Sequence, residues 1–160
     1  MISDICPVCG MATVADVPSV EHHKMYFHFC SEQCRETFEA TPQLYASGAV
    51  EKRTPVIKYR NLHLAEASTP EDMKVNEACL KEMMGVQEVH FQGDRLQISY
   101  DLMQITQAGI EQLLNELGVP LDNSWWQRAR RGWTHNAEEN ELDNLARGDG
   151  ACCNRSPPGA

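Results

Sequence analysis

The apolar positions along the chain change their spacing several times, and each change marks a new element. ATVADV and the aromatic-rich HHKMYFHFC read as the two arms of a hairpin, with Pro18-Ser19 near its turn. SEQCRETFEA then takes a helical pattern, with Ser31 suited to the N-cap, Glu32 to the first turn and Pro42 as the stop. Beyond a linker at 47–55, VIKYRNLHL reads as a strand with Ile57, Tyr59, Leu62 and Leu64 inward. PEDMKVNEACLKEMM predicts a helix with Pro70 at N1 after Thr69, an apolar face of Met73, Cys79, Leu80, Met83 and Met84, and Gly85 at its end. VQEVHF and RLQISYD flank Gly93-Asp94 as strand, turn, strand. ITQAGIEQLLNELG predicts a second amphipathic helix ended by Gly118, with a short strand at Val119 to Leu121. This order, βαββα(β), is that of a ferredoxin-like split βαβ. SWWQRARRGWTH and the acidic AEENELDNLARGDG are expected to be partly helical, ahead of a mobile GACCNRSPPGA tail.

Composition narrows the class. The chain has 160 residues, 42% hydrophobic and 23% charged, which fits a globular chain of one ordinary or two small domains. No apolar run approaches the roughly 18 residues of a membrane-spanning helix, and the start MISDICPVCG lacks the pattern of a secretory signal, so a cytoplasmic location is expected. A net charge of -9 argues against general nucleic-acid binding, which needs a basic face to neutralise phosphates. In a reducing compartment, 7 cysteines point to metal ligation or thiol chemistry rather than disulfides.

The cysteines are unevenly placed. Cys6, Cys9, Cys30 and Cys34 give the spacing C-x2-C-x20-C-x3-C. A C-x2-C-G turn aims two thiolates at one ion, and Cys30 and Cys34 straddle a helix N-terminus, which favours thiolates. Four thiolates at about 2.3 Å in a tetrahedron make a closed structural zinc site. A segment of roughly 45 residues has too small a core to fold alone, and a metal supplies the missing stability.

CPVCGM and the stretch YFHFCSEQCRETFEATPQLY resemble a YHS domain, a relative of the TRASH metal-binding domains, over about residues 4 to 46. The resemblance implies a treble-clef-like fold, zinc or copper as the ion, and a setting of heavy-metal transport or sensing. Many such domains begin DPVCGM, whereas Cys6 stands at that first position here, which completes a four-thiolate set and leaves Cys6 less essential than the other three. Copper(I) would also accept a thioether such as Met11, although Met11 is better read as a packing residue after the turn. His22 and His23 read as exposed hairpin residues, and His28 either faces solvent or covers the site.

The second segment resembles a heavy-metal-associated domain, the ferredoxin-like module of copper chaperones and transport ATPases, in its element order and in EACLKEMMGV and LNELGV. That family carries M-x-C-x-x-C after its first strand, and this chain has AEASTPED there, so this module is not expected to bind metal in the family's way. Docking against a similar domain remains open to it. Cys79 reads as a small core hydrophobe.

Trp125, Trp126 and Trp133 interleave with Arg128, Arg130 and Arg131. The expectation is a helix whose tryptophans pack on the ferredoxin-like sheet, with arginines solvated or paired with Glu138, Glu139 and Glu141. Cys152-Cys153 resembles the tail pair of mercuric reductases and is a candidate metal-transfer arm; the alternative is an inconsequential exposed pair.

The fold class expected is therefore α+β: a treble-clef-like zinc module at 1–47, a ferredoxin-like domain at 54–122, and a C-terminal helix and tail at 123–160. The function expected is heavy-metal binding in trafficking, buffering or sensing, with zinc or copper as the ion and a metal transporter or another carrier as partner. The alternative is a structural zinc module in a scaffold or regulator. No base and nucleophile pair, phosphate-cradling glycine loop or HExxH motif points to an enzyme.

Overall fold

The computed structural model describes residues 5–46 and 54–147. The chain is α+β, with two small sheets, a long C-terminal helix and a cysteine cluster near its start. Cys152, Cys153 and most of the expected linker at 47–55 lie outside the described residues.

The N-terminal part begins with a tight turn. Gly10 N–H donates to the Cys6 carbonyl at 2.9 Å and Cys6 N–H to the Met11 carbonyl at 2.7 Å, while Ile5 bridges Ala12. Gly10 sits at φ 80°, a conformation that glycine reaches without penalty. Strands β1 (Val20–His22) and β2 (Met25–Phe27) follow as an antiparallel hairpin. Its turn is His23-Lys24, at φ 50° and 63°, and not Pro18-Ser19 as the sequence suggested. Two positive φ values in a two-residue loop match the twist of the flanking strands, and here an unfavoured residue pair adopts them. Helix α1 (Glu32–Ala40) is capped by Ser31, whose hydroxyl accepts from Cys34 N–H. Pro42 stops α1 as expected and then starts a short helix not foreseen, α2 (Pro42–Ala46). Phe38 anchors this small core, with ring centroids of Phe27, Phe29 and Tyr45 at 4.7, 5.3 and 6.4 Å.

The second part holds the antiparallel sheet β3 (Ile57–His63), β4 (Val86–Gln92) and β5 (Arg95–Asp101) in the order β3-β5-β4, with Leu64 bridging Leu121. Helices α3 (Pro70–Glu82) and α4 (Gln107–Glu116) connect it, so the βαββα(β) order and split βαβ topology are as expected. Leu62, Leu64, Leu80, Val89, Leu96, Ile98, Tyr100, Ile110 and Leu114 form the main core.

Two expectations about side-chain direction fail here. Tyr59 is 74% exposed, because the inward phase of β3 is that of Leu62 and Leu64, two residues of even number. The residues of the same phase at the start of the strand are Lys58 and Arg60. They meet carboxylates of helix α5 (Trp125–Arg147): Lys58 Nζ reaches Glu141 Oε2 at 2.6 Å and Arg60 reaches Glu138 Oε1 at 3.2 Å. The second failure is α5 itself. Its tryptophans face outward, with Trp125, Trp126 and Trp133 at 67%, 74% and 83% exposed, and it docks through buried Glu138 and Leu142. Of its arginines, Arg131 is the half-buried one, paired with Glu111 at 3.4 Å. Cys79 is half-buried rather than fully in the core.

The two parts pack together. Tyr45 Oη donates to the Met103 carbonyl at 2.6 Å and Gln33 Nε2 to the Met84 carbonyl at 2.9 Å. Leu142 of α5 closes a further cluster with Leu102 and Met103, against which Leu44 and Val56 rest. The loop carrying Met84 is held tightly by Gly85, at φ 92°, where an added Cβ would lie 2.7 Å from Gln104 Cβ. Gly85→Ala combines backbone strain with that clash and is expected to cost about 1–3 kcal/mol. Chemical denaturation measures it, and an unchanged midpoint would contradict it.

Candidate metal centre

Two local structures deliver the four thiols to one point. The glycine-closed turn presents Cys6 and Cys9 side by side. Cys30 leads into the Ser31 cap and Cys34 falls in the first turn of α1. The four Sγ atoms lie within 4.8 Å of one another, the single such group of histidine, cysteine and acidic residues among the described residues. Cys9 and Cys30 are 3.3 Å apart and Cys30 and Cys34 3.7 Å, and all four are free thiols. Sulfurs bound at about 2.3 Å around a tetrahedral ion stand about 3.8 Å apart, so the separations suit one shared cation. Cys6 and Cys34 are buried and Cys9 and Cys30 half-buried, which leaves one side of the cluster accessible.

The thiols do not ionise independently. The Cys6 thiol is pushed well below its usual value by hydrogen bonds from Cys34 and then Cys9, which outweigh burial. Cys34 is pushed far up, first by its bond to Cys6, then by Cys9 and by burial. Cys9 is drawn down by Cys34, but its bond to Cys6 and its burial prevail and raise it to about 12. One thiolate held by neighbouring S–H donors is the arrangement expected when several like charges crowd a site. A cation bound by all four thiolates must therefore displace protons from at least Cys9 and Cys34. Affinity is expected to fall as pH falls, because protons compete for the same sulfurs. Calorimetric titration in two buffers of different ionisation enthalpy would show release of two or more protons per ion, and identical heats in both would contradict it.

Other residues considered for the site fall away from it. Met11 is exposed rather than packed after the turn. His22 is half-buried rather than exposed, edge-on to Phe38 at 6.1 Å, while His23 is exposed as expected. His28 is half-buried outside the cluster. The sequence did not reveal Met84. The helical pattern of the sequence runs through Met83-Met84, but α3 ends at Glu82 and is capped by Met83, so Met84 drops into the loop and meets Cys34. Its Sδ lies 3.2 Å from Cys34 Sγ.

No family profile and no solved structure matches the chain. A copper-transporting P-type ATPase of Rhizobium leguminosarum bv. viciae is 46% identical over 41 residues, which is 24% of this chain and 5% of the transporter. The chain thus matches a small fraction of that relative's length. No helix among the described residues is long and apolar enough to cross a membrane. The buried cysteine cluster and the partial likeness to a copper transporter together support a heavy-metal-binding role for this chain.

Proposed function

We propose that the chain is a heavy-metal-binding accessory protein that holds one zinc or copper ion at Cys6, Cys9, Cys30 and Cys34 for trafficking, buffering or sensing in the cytoplasm. The convergence of four sulfurs within 4.8 Å carries this reading. In it, residues 1–47 form a YHS/TRASH-type, treble-clef-like metal module. Residues 54–122 form a heavy-metal-associated-like domain that docks a transporter or another carrier. Residues 123–160 form a helix and a tail whose Cys152-Cys153 pair passes the ion on. The partial likeness to a copper-transporting ATPase favours a transporter as the partner. The role is binding, not catalysis.

A structural zinc module is the second reading, favoured by the complete burial of Cys6 and near-complete burial of Cys34. Closed four-thiolate zinc sites of this kind serve structure. Elemental mass spectrometry of anaerobically purified protein, before and after challenge with a copper(I) chelate, separates the two. Copper uptake or zinc displacement that weakens in the Cys152→Ser, Cys153→Ser variant supports trafficking. One zinc per chain, unmoved by copper, leaves the structural module.

A further inference from the structure

We propose that Met84, delivered by the ferredoxin-like part of the chain, is a further sulfur donor at the cysteine centre, one that joins two or three of its thiolates around copper(I) and so selects copper(I) over zinc there. The inference rests on the reading of the four cysteines as a metal site and specifies its ion.

The Met84 Sδ to Cys34 Sγ separation is 3.2 Å, shorter than the 3.3 Å between Cys9 and Cys30 and the 3.7 Å between Cys30 and Cys34. By distance, the thioether sits against the Cys34 sulfur as closely as the thiols sit against one another. Its placement is enforced from both sides. Gln33, adjacent to Cys34 on α1, holds the Met84 carbonyl at 2.9 Å, and Gly85 turns the chain where a Cβ would strike Gln104. Met84 is half-buried against the small N-terminal core, although its neighbour Met83 packs in the main core. Consecutive methionines are thus split between the two parts of the molecule.

The chemistry of the added donor decides which ion gains. Zinc takes thiolate, imidazole and carboxylate, and four thiolates already satisfy it. Copper(I) is softer and accepts thioethers together with thiolates. A thioether also carries no proton, so its contribution needs none displaced, whereas a protonated thiol must lose its proton to bind. It adds no charge to a centre already crowded with thiolates, which suits a monovalent ion better than a further anion would. Because Met84 lies between α3 and β4, an ion that it touches ties the N-terminal module to the ferredoxin-like sheet.

The test compares the full chain with Met84→Leu, a swap that nearly preserves volume. Both are titrated with copper(I) from a bicinchoninate complex and with zinc. The expected result is a copper(I) affinity lowered tenfold or more in Met84→Leu, with zinc affinity within twofold. Selenomethionine-labelled wild-type protein loaded with copper(I) should show a selenium neighbour at the copper absorption edge, and labelled Met84→Leu should not; this reads ligation even if the variant folds poorly. Unchanged copper(I) affinity with no selenium neighbour would overturn the assignment while leaving the cysteine site intact. Parallel loss of both metals without a selenium neighbour would overturn it too, reducing Met84 to a support for Cys34. If wild-type protein binds neither ion, the metal reading of the cysteines itself fails, which is a separate result.

Discussion

Replacing Cys30 and Cys34 together by serine is expected to abolish metal uptake and to unfold the segment from Ile5 to Ala46, while the ferredoxin-like sheet survives. The buried core of that segment is Cys6, Val8, Phe29, Cys34, Phe38 and Tyr45, so two of its six members are themselves thiols of the centre. Its strands are three residues long each, too short to be stable alone. A structural metal contributes on the order of 10 kcal/mol to a module of this size, far more than so small a core supplies. The sheet, by contrast, rests on a separate core of eleven buried residues that includes no cysteine. Hydrogen exchange followed by mass spectrometry measures this directly. Fast exchange through β2 and α1, beside retained protection in β5, is the expected pattern. Full protection of α1 in the metal-free double variant would show that packing alone holds the module.

Glu138→Ala is expected to lower stability by about 3–5 kcal/mol, the range for stripping one partner from a buried ionic group. Glu138 is 1% exposed and accepts three hydrogen bonds: from Tyr100 Oη at 2.5 Å, from Gln107 N–H at 2.8 Å and from Arg60 at 3.2 Å. These donors come from β5, the start of α4 and β3, so one carboxylate ties α5 to three elements. Burial, then the bond to Glu138, raises the Tyr100 phenol far above its usual value, which keeps it protonated as a donor. Alanine would leave all three donors facing a cavity, each an unsatisfied group costing about 1–3 kcal/mol. Glu141→Gln is the matched control. Its bond to Lys58 joins two partly exposed side chains, and its loss should cost no more than about 1 kcal/mol. Equal midpoints for Glu138→Ala and wild type in chemical denaturation would refute the anchoring role.

Much of this molecule was legible residue by residue. The Ser31 and Thr69 caps, Pro70 at the start of α3 and the Gly93-Asp94 hairpin all act within a few residues, and each took the expected form. Local chemistry misled where two local signals competed. Pro18-Ser19 is a better turn pair than His23-Lys24, yet pairing of Val20 with Phe27 fixes the register that places the turn later. Ile57 and Tyr59 alternate as convincingly as Leu62 and Leu64, and the two pairs imply opposite faces.

The sequence by itself determined the element order, the α+β class and two local cysteine pairs, C-x2-C and C-x3-C, because caps, turns and binary patterning are short-range effects; the fold brings the two pairs together. Tertiary structure decided the rest. It turned Lys58 and Arg60 inward, because α5 brings Glu141 and Glu138 to meet them, and partly buried charges follow their partners rather than their hydropathy. It left Trp125, Trp126 and Trp133 exposed, because the docking face of α5 is set by Glu138 and Leu142 on the same helix. It also brought Met84 to Cys34 across 50 positions of sequence, a meeting that no local pattern encodes because it depends on how α1 packs against the loop after α3.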